Sequence, residues 1–408
     1  MLSKETTDLV RRYNEEYLHW DELRRKDATI DAELLWALMK MARESQAKHV
    51  HFSDIDFSYV LTGHSQQILH QLDKGTSGIS IEGRNEGSNL KRYVASSLME
   101  EAIASSHLEG AVTTSKVAKK MLREGRKPRD LSEQMIMNDY LTMQRVSAIR
   151  DRPFTMEVVL ELHRIITHDT LDDPMDEGHF RSNDEVVLGD PLEAGKVYFR
   201  PPPHDKVPQL MEELCAFAND EKSAEFQHPL VKAMIIHFMI GYIHAFVDGN
   251  GRLARALMYW YALKRDYWIF EYLAVSKVMK TSRARCGMAY LHTETDDNDV
   301  TYFLNYNLEC MEKALAAFES YVARKRREQT GVLEIVEVHK ELHLRQAEIL
   351  DDLVKHRGEP FSVAAVASKY DVVLQTARTD LHRLADLDLI EKKDVGNKAY
   401  FVYRGKNR

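Results

Sequence analysis

The chain has 408 residues and a formal net charge of −8, with 44% hydrophobic and 29% charged residues. This length exceeds one average domain, and the composition is typical of a folded protein rather than a disordered one. The acidic balance argues against the whole chain being a nonspecific nucleic-acid binder, although it leaves room for a small basic module.

Two further features bear on the compartment. Cys215, Cys286 and Cys310 lie far apart, without the spacing of a metal site or of a disulfide set. The N-terminal segment is charged throughout and lacks an apolar signal region, and no uninterrupted apolar run is long enough to span a membrane. We therefore expect a cytoplasmic protein with no membrane partner.

The first half of the chain is predicted to be mainly helical. Residues 1–87 are interpreted as an N-terminal helical region, and residues 88–330 as a core domain. A strong helical stretch over 88–108 is broken afterwards by Gly110, and the sequence at its end is Ser105-Ser-His-Leu-Glu-Gly110. Further helices are predicted over Lys116–Arg150, with a basic break at Arg123–Arg129, and over Thr155–His168.

Residues 172–203 differ in character from the helices around them. Two short β-prone pieces, Glu185–Leu188 and Lys196–Phe199, are separated by a segment rich in glycine, proline and acidic residues. This pattern predicts a β-hairpin over about 180–200.

The segment His244-Ala-Phe-Val-Asp-Gly-Asn-Gly-Arg-Leu-Ala-Arg255 follows an apolar stretch that is typical of a buried helix. Gly249 and Gly251 permit tight backbone turns, and Asn250 is a good helix N-cap residue. We therefore predict a helix, a tight loop and a second helix, whose N-terminal N–H groups form an anion site. Arg252 and Arg255, three residues apart, reach the same side of that helix.

This segment resembles the signature of the Fic family, which is histidine-x-phenylalanine-x-acidic-glycine-asparagine-glycine-arginine-x-x-arginine. Every fixed position is matched. The one common feature that is missing is a proline after the histidine, where this chain has Ala245. The resemblance implies a helical Fic core that transfers AMP from ATP to a hydroxyl side chain of a target protein.

The resemblance also implies roles for individual residues. His244 is the expected general base, and Asp248 is the expected ligand of Mg²⁺. The nucleotide phosphates are expected on Asp248, Gly249, Asn250, Gly251, Arg252, Leu253, Ala254 and Arg255.

The end of the 88–108 helix resembles the inhibitory motif of regulated Fic proteins. In that motif a serine or threonine is followed, four residues later, by a glutamate and then a glycine or asparagine. The resemblance implies that Glu109 pairs with Arg255 and keeps it from the γ-phosphate of ATP. Ser105 is expected to steady the glutamate, and Gly110 completes the motif.

The hairpin after Gly178-His-Phe-Arg181 resembles the flap that Fic proteins lay over a target segment. Leu188 and Gly189 are the flap residues expected near the nucleotide. On the adenine side the resemblance is incomplete. Many relatives have two adjacent tyrosines after the signature, whereas the corresponding region of this chain, residues 282–290, has the single Tyr290, for which core packing is the simpler role.

Residues 341–408 are predicted to form a separate unit that resembles a winged helix-turn-helix. Its helices are expected at Leu344–His356, Val363–Lys369 and Val373–Leu387, followed by a hairpin of Leu389–Lys393 and Lys398–Tyr403. The third helix is expected to expose Gln375, Thr376, Arg378, Thr379, His382 and Arg383. From Val372 to Arg408 there are eight Lys or Arg and five Asp or Glu residues. This small basic excess leaves DNA and protein partners equally open.

We therefore expect a mainly α protein with a Fic-type helical core, a β-hairpin flap and a C-terminal winged unit. The predicted function is autoinhibited adenylylation of target proteins and of the chain itself, with ATP as substrate and Mg²⁺ as cofactor. Removal of AMP, transfer of another phosphate-containing group, and a DNA-binding regulator with a Fic sensor are the alternatives. A homodimer is compatible with all of them.

Overall fold

The structure is a computed structural model that describes residues 3–26, 30–78, 89–186, 188–189, 197–220, 225–356, 358–395 and 398–403. The chain divides into two compact units, residues 1–316 and 317–408. Both are built mainly from helices, as the sequence predicts. None of the helices in the described ranges combines the length and apolarity needed to cross a membrane.

The larger unit begins with a helical region that also contains a hairpin the sequence analysis did not predict. Its elements are α1 (Lys4–Glu15), α2 (Trp20–Leu23), α3 (Ala32–Glu44), β1 (Lys48–Phe52), β2 (Ile55–Tyr59) and α4 (Gly63–Gly78). The hairpin pairs Lys48 with Tyr59 and Phe52 with Ile55 in antiparallel register. Val50, Phe52, Phe57 and Tyr59 alternate along it and are buried, because alternate side chains of a strand share one face.

The remaining elements of the larger unit carry the residues discussed below. They are α5 (Asn89–Leu108), α6 (Ser115–Glu124), α7 (Leu131–Ala148), α8 (Met156–Thr167), β3 (Leu188–Gly189), β4 (Val197–Phe199), α9 (Val207–Asn219), α10 (Pro229–Ile243), α11 (Asn250–Lys264), α12 (Val275–Thr281), α13 (Arg283–Thr295) and α14 (Thr301–Val338). Helix α14 continues past the boundary at residue 316 into the second unit.

Helices α10 and α11 form the centre of the larger unit. Both are buried along nearly their whole length, and they pack against each other. Helix α10 is apolar on all sides, which is the pattern of a helix surrounded by protein. Helix α5 packs on α7 and α12, and it also contacts α11. The loop between α10 and α11 is therefore anchored at both ends by buried helices.

The second unit contains α15 (Leu344–Lys355), β5 (Phe361–Ser362), α16 (Val363–Tyr370), α17 (Leu374–Asp386), β6 (Ile390–Val395) and β7 (Lys398–Tyr403). The strands form an antiparallel sheet in the order β5-β7-β6, and Leu353, Leu381 and Phe401 lie in the core. The three helices and the hairpin occur in the order that the sequence predicts.

One prediction about this unit is wrong in part. Gln375, Arg378, Thr379 and Arg383 are exposed on α17, whereas Thr376 and His382 are partly buried. The His382 ring lies edge-on to Phe401, with 5.5 Å between the ring centroids, because its position on α17 faces the sheet.

Candidate active site

The loop between α10 and α11 has the shape that its sequence predicts. His244 follows the last residue of α10 with φ +47° and ψ 56°, and its N–H donates to the Ile240 carbonyl. Gly249 precedes α11 with φ +84°, a conformation that glycine adopts without steric cost. A Cβ there would lie 2.8 Å from the Thr167 Cγ2 atom, so the loop passes close to the end of α8.

The sequence analysis expected Asn250 to cap α11, but this prediction is wrong. Gly249 occupies the N-cap position. The Asn250 side chain instead accepts from the Phe246 N–H at 3.0 Å and donates to the Phe246 carbonyl at 2.8 Å. A single amide therefore closes the loop on itself. Gly249 has no side chain with which to cap α11, so the first N–H groups of the helix face an anion from elsewhere in the chain or from a ligand.

The His244 side chain has a defined tautomer. Its Nδ1 lies 3.2 Å from the Gly241 carbonyl, which can only accept, so Nδ1 carries the proton and Nε2 keeps its lone pair. Burial lowers the pKa of His244 below its ordinary value, while the Gly241 carbonyl and the Glu109 carboxylate act in the opposite direction. A histidine in this state is neutral near pH 7 and can accept a proton at Nε2.

Arg252 and Asp248 form a pair at the start of α11. The Arg252 side chain is completely buried, and it donates to Asp248 Oδ2 at 3.2 Å and to the Ile166 carbonyl at 3.1 Å. The Asp248 side chain is 53% exposed. The Arg252 guanidinium thus ties the loop to the end of α8 and holds the half-exposed Asp248 carboxylate in place.

Arg255 lies one turn further along α11 and is held by α5. Its Nη2 donates to Glu109 Oε1 at 2.9 Å and to the Ser105 carbonyl at 3.0 Å, and its Nε donates to the Ser105 hydroxyl at 3.0 Å. Burial opposes the charge on Arg255, but the Glu109 and Asp139 carboxylates more than offset it, and its pKa is raised. The structure therefore brings Ser105, Glu109 and Arg255 together, but in the described part of the chain Ser105 bonds to Arg255, whereas the resemblance implied that it would steady Glu109.

Gly251 makes room for the Glu109 carboxylate at the N-terminus of α11. A Cβ added to Gly251 would lie 2.8 Å from Glu109 Cδ and would overlap Oε1. The carboxylate therefore occupies the position where a helix N-terminus attracts an anion. Gly110 follows with φ +98°, which ends the segment directly after the glutamate.

Leu253 and Ala254 are buried in α11, so only their main chain is placed to face a ligand.

Leu188 and Gly189 form β3, which pairs with β4 in antiparallel fashion. Glu185 and Val186, where the strand was predicted to begin, are not in a strand, and the Asn183 side chain accepts from the Glu185 N–H at 3.1 Å in a local turn. The predicted turn at 190–195 lies outside the described residues.

Tyr290 packs between Phe238 and Phe303, as its core-packing interpretation predicts.

Sequence reasoning missed His163, a buried residue of α8. Its Nδ1 accepts from the Gly178 N–H at 3.0 Å, so its Nε2 carries the proton that it donates to the Asp248 carbonyl at 2.9 Å. Its ring also stacks on Phe246, with centroids 3.7 Å apart. Burial lowers the pKa of His163 to about 4, so it stays neutral. A lone histidine in an apolar helix gives no sequence signal for this role.

Two buried carboxylates behind Arg255 were also missed. Asp139 of α7 accepts from the Ser106 hydroxyl at 3.3 Å, and burial raises its pKa to about 6. Glu101 of α5 accepts from the Ser276 N–H at 2.9 Å and from the Ser276 hydroxyl, and burial raises its pKa to about 7. Glu101 thereby ties α5 to the start of α12.

Comparison with known proteins matches part of the chain, including the loop between α10 and α11, to a family. Residues 153–262 match the model of the Fic/DOC family. The protein adenylyltransferases Fic of Drosophila melanogaster and Drosophila sechellia are each 26% identical to the chain over 252 residues. Each match covers 60% of this chain and 47% of the relative, so the chain spans slightly less than half of the relatives' length.

Solved structures agree on the fold. A Fic family protein from Desulfovibrio desulfuricans G20 superposes with a TM-score of 0.54 at 19% identity, over 84% of this chain and 97% of that one. Fic-1 from C. elegans superposes with a TM-score of 0.54 at 14% identity, over 79% and 86% of the two chains. At these identities the likeness establishes the fold alone.

Proposed function

We propose that this chain, whose residues 153–262 form a domain of the Fic/DOC family, is an autoinhibited protein adenylyltransferase. The observation that supports catalysis is the pairing of His244 with an anion site. A neutral histidine whose Nε2 has no hydrogen-bond partner in the described part of the chain lies next to the N-terminus of α11, which its N-cap residue Gly249 leaves without a side-chain cap. The observation that supports autoinhibition is the Glu109 carboxylate on Arg255. The two Drosophila relatives are named as protein adenylyltransferases, which agrees with this activity.

The proposed reaction transfers AMP from ATP to a protein hydroxyl. The hydroxyl oxygen attacks the α-phosphorus, its proton passes to His244 Nε2, and the bond to the β-phosphate oxygen breaks to release pyrophosphate. General-base help of this kind contributes about 10²–10⁴-fold to the rate. The N–H groups at the start of α11 stabilise the charge that develops on the leaving pyrophosphate.

Asp248 fits a role in holding Mg²⁺. It is a half-exposed carboxylate at the mouth of the phosphate loop, and Mg²⁺ usually binds one or two protein carboxylates together with phosphate oxygens and water. The ion supplies neutralisation of phosphate charge. Arg252 orients the Asp248 carboxylate by donating to its Oδ2. The buried guanidinium also donates to the Ile166 carbonyl and thereby fixes the loop against α8.

Glu109 blocks the proposed position of the γ-phosphate. A carboxylate and a γ-phosphate compete for the same Arg255 guanidinium and for the same helix N-terminus. A displacement of the reacting atoms by about 1 Å can cost on the order of 100-fold in rate. ATP bound beside Glu109 is therefore unproductive, and activity requires Glu109 to move.

The test is label transfer by purified wild type, Glu109→Gly and His244→Ala. Each is incubated with Mg²⁺, a cell lysate and ATP labelled at the α-phosphate or, separately, at the γ-phosphate. We expect protein-bound α-label that is strongest in Glu109→Gly and absent in His244→Ala. Bound γ-label indicates phosphorylation instead. If neither label is transferred, loss of AMP from a labelled target decides whether the site removes AMP, and other phosphate-containing donors test the remaining alternative.

DNA binding by the second unit is the second candidate. The exposed face of α17 carries Gln375, Arg378 and Thr379, which can hydrogen-bond with base edges or phosphates. We expect a shift of a labelled duplex that weakens with salt and is lost when Arg378 and Arg383 are replaced by alanine. A shift that persists in this double variant, or no shift at low salt, rejects this candidate.

A further inference from the structure

Arg181 lies between α8 and the flap, and its side chain is only 1% exposed. Among the described residues its one carboxylate partner is Asp184, whose side chain is 57% exposed. Burying a guanidinium costs free energy unless its donors are paired. The contacts of Arg181 therefore indicate what its burial achieves. Those contacts lead to two different parts of the site.

One set of contacts holds the main chain of the catalytic loop. The Arg181 N–H donates to the Ala245 carbonyl at 3.0 Å, and its Nε donates to the His244 carbonyl at 2.9 Å. His244 has φ +47°, a conformation that costs most residues on the order of 1 kcal/mol or more. A charge-assisted hydrogen bond to its carbonyl helps to hold the histidine in this conformation.

The other set of contacts holds both ends of the flap. Arg181 Nη1 donates to the Asn183 carbonyl at 2.8 Å and to Asp184 Oδ1 at 2.9 Å, on the side that leads into β3. Its Nη2 donates to the Pro202 carbonyl, on the side that leaves β4. Asp184 Oδ1 in turn accepts from the His204 N–H at 2.7 Å, which joins the two ends a second time.

We propose that Arg181 is a positioning residue that couples the flap to His244. A target segment held by the flap is thereby presented to the base at a fixed distance. The planar guanidinium is suited to this because it has five N–H donors in a fixed fork, whereas a lysine has one flexible ammonium group. This inference rests on the proposed function in assigning the proton transfer to His244 and the binding of a target segment to the flap.

The kinetic test uses Arg181→Lys and Arg181→Gln, each combined with Glu109→Gly. Arg181→Lys keeps the charge but loses the fork, and we expect kcat to fall on the order of 10–100-fold, with the KM for ATP changed less than about twofold. Arg200→Lys is the matched control, because Arg200 is exposed beside β4, and it should behave as the parent. A kcat equal to that of the parent in Arg181→Lys overturns the proposal.

The pH profile separates positioning from a merely structural role. The positive charge of Arg181 lowers the pKa of His244, after the larger effect of burial. We therefore expect the acid limb of kcat/KM to move to higher pH in Arg181→Gln and to stay in place in Arg181→Lys. Loss of ATP binding and of thermal stability in both variants, with no shift in the limb, assigns Arg181 to folding and overturns the proposal.

Hydrogen exchange keeps this test separate from the proposed function. In Arg181→Lys we expect faster exchange at 197–204 and at 244–248 together, with no change in α9. If the Glu109→Gly parent transfers no label, the proposed function fails, and this exchange result still decides the coupling. Unchanged exchange in either segment overturns it.

Discussion

Replacing Glu109 with glycine removes one ion pair and leaves the rest of the Arg255 environment in place. The pair joins Arg255 Nη2 to Glu109 Oε1 at 2.9 Å, and the two side chains are 8% and 30% exposed. Arg255 keeps its bonds from Nε to the Ser105 hydroxyl and from Nη2 to the Ser105 carbonyl. The freed guanidinium therefore stays where the γ-phosphate is expected.

The size of the effect follows from the pair that is lost. Hydrogen bonds to charged groups contribute about 1.5–3 kcal/mol net, and partial exposure of Glu109 favours the lower part of that range. A loss of about 1.5–2 kcal/mol of competition corresponds to roughly a 10–30-fold gain in kcat/KM for ATP, since about 1.4 kcal/mol is tenfold. Removal of the misplaced ground state adds to this gain.

The assay measures α-label transfer against ATP concentration in wild type, Glu109→Gly and Glu124→Gly. Glu124 ends α6 and is 54% exposed, and its only ion pair in the described ranges is a 3.9 Å contact with Lys120, so its replacement controls for a new glycine at a helix end. Equal kcat/KM in wild type and Glu109→Gly refutes the competition argument. An equal gain in both variants refutes its assignment to Arg255.

Three further predictions concern the histidines of the site. His244→Asn, which tolerates the left-handed backbone better than alanine does, should lower transfer by about 10²–10⁴-fold while ATP affinity, measured by calorimetry, stays unchanged. Because the Glu109 charge raises the pKa of His244, the NMR signal of His244 should titrate at lower pH in Glu109→Gln than in wild type. His163 has a pKa of about 4 when folded and about 6.5 when unfolded, so it contributes about 3 kcal/mol above pH 6.5 that is lost as the pH falls toward 4. Thermal melts from pH 8 to pH 4 should therefore show a smaller decline in His163→Gln than in wild type.

Each of these predictions has a result that contradicts it. Full transfer by His244→Asn removes the general-base role from His244. A His244 titration that is unaffected by Glu109→Gln shows that the two side chains do not interact electrostatically. Parallel decline of the melting temperature in wild type and His163→Gln assigns the acid sensitivity to other buried histidines, such as His19 and His237, whose pKa values burial lowers to about 4 and about 3.

The sequence alone predicted those parts of the site whose interacting residues lie close together in the chain. The turn at 244–251 and the helix from Asn250 follow from glycine placement and helix-forming residues, and Glu109 is recognisable from a short motif. The partial burial of His382 was not predictable from the exposed-face pattern alone, because it depends on the sheet strand that carries Phe401.

The sequence was insufficient where partners are distant. His163 and the Asp248 carbonyl are 85 residues apart, and Arg181 and the His244 carbonyl are 63 residues apart. In both pairs the acceptor is a main-chain carbonyl, which every residue type offers, so no residue identity marks the contact. Asn250 illustrates the same limit at short range, since its amide bonds with Phe246 rather than capping the helix.

The double attachment of Ser105 to Arg255 has a consequence for how inhibition can be relieved. Helix α5 ends at Leu108, directly before the blocking glutamate, and it supplies the two Ser105 acceptors that set the rotamer of Arg255. The inhibitory group and the support of the arginine are thus adjacent in the chain. Deleting α5 together with Glu109 removes both, so a truncated enzyme should be less active than Glu109→Gly. A physiological activator has to turn the Glu109 side chain aside and leave the turn at Ser105 in place.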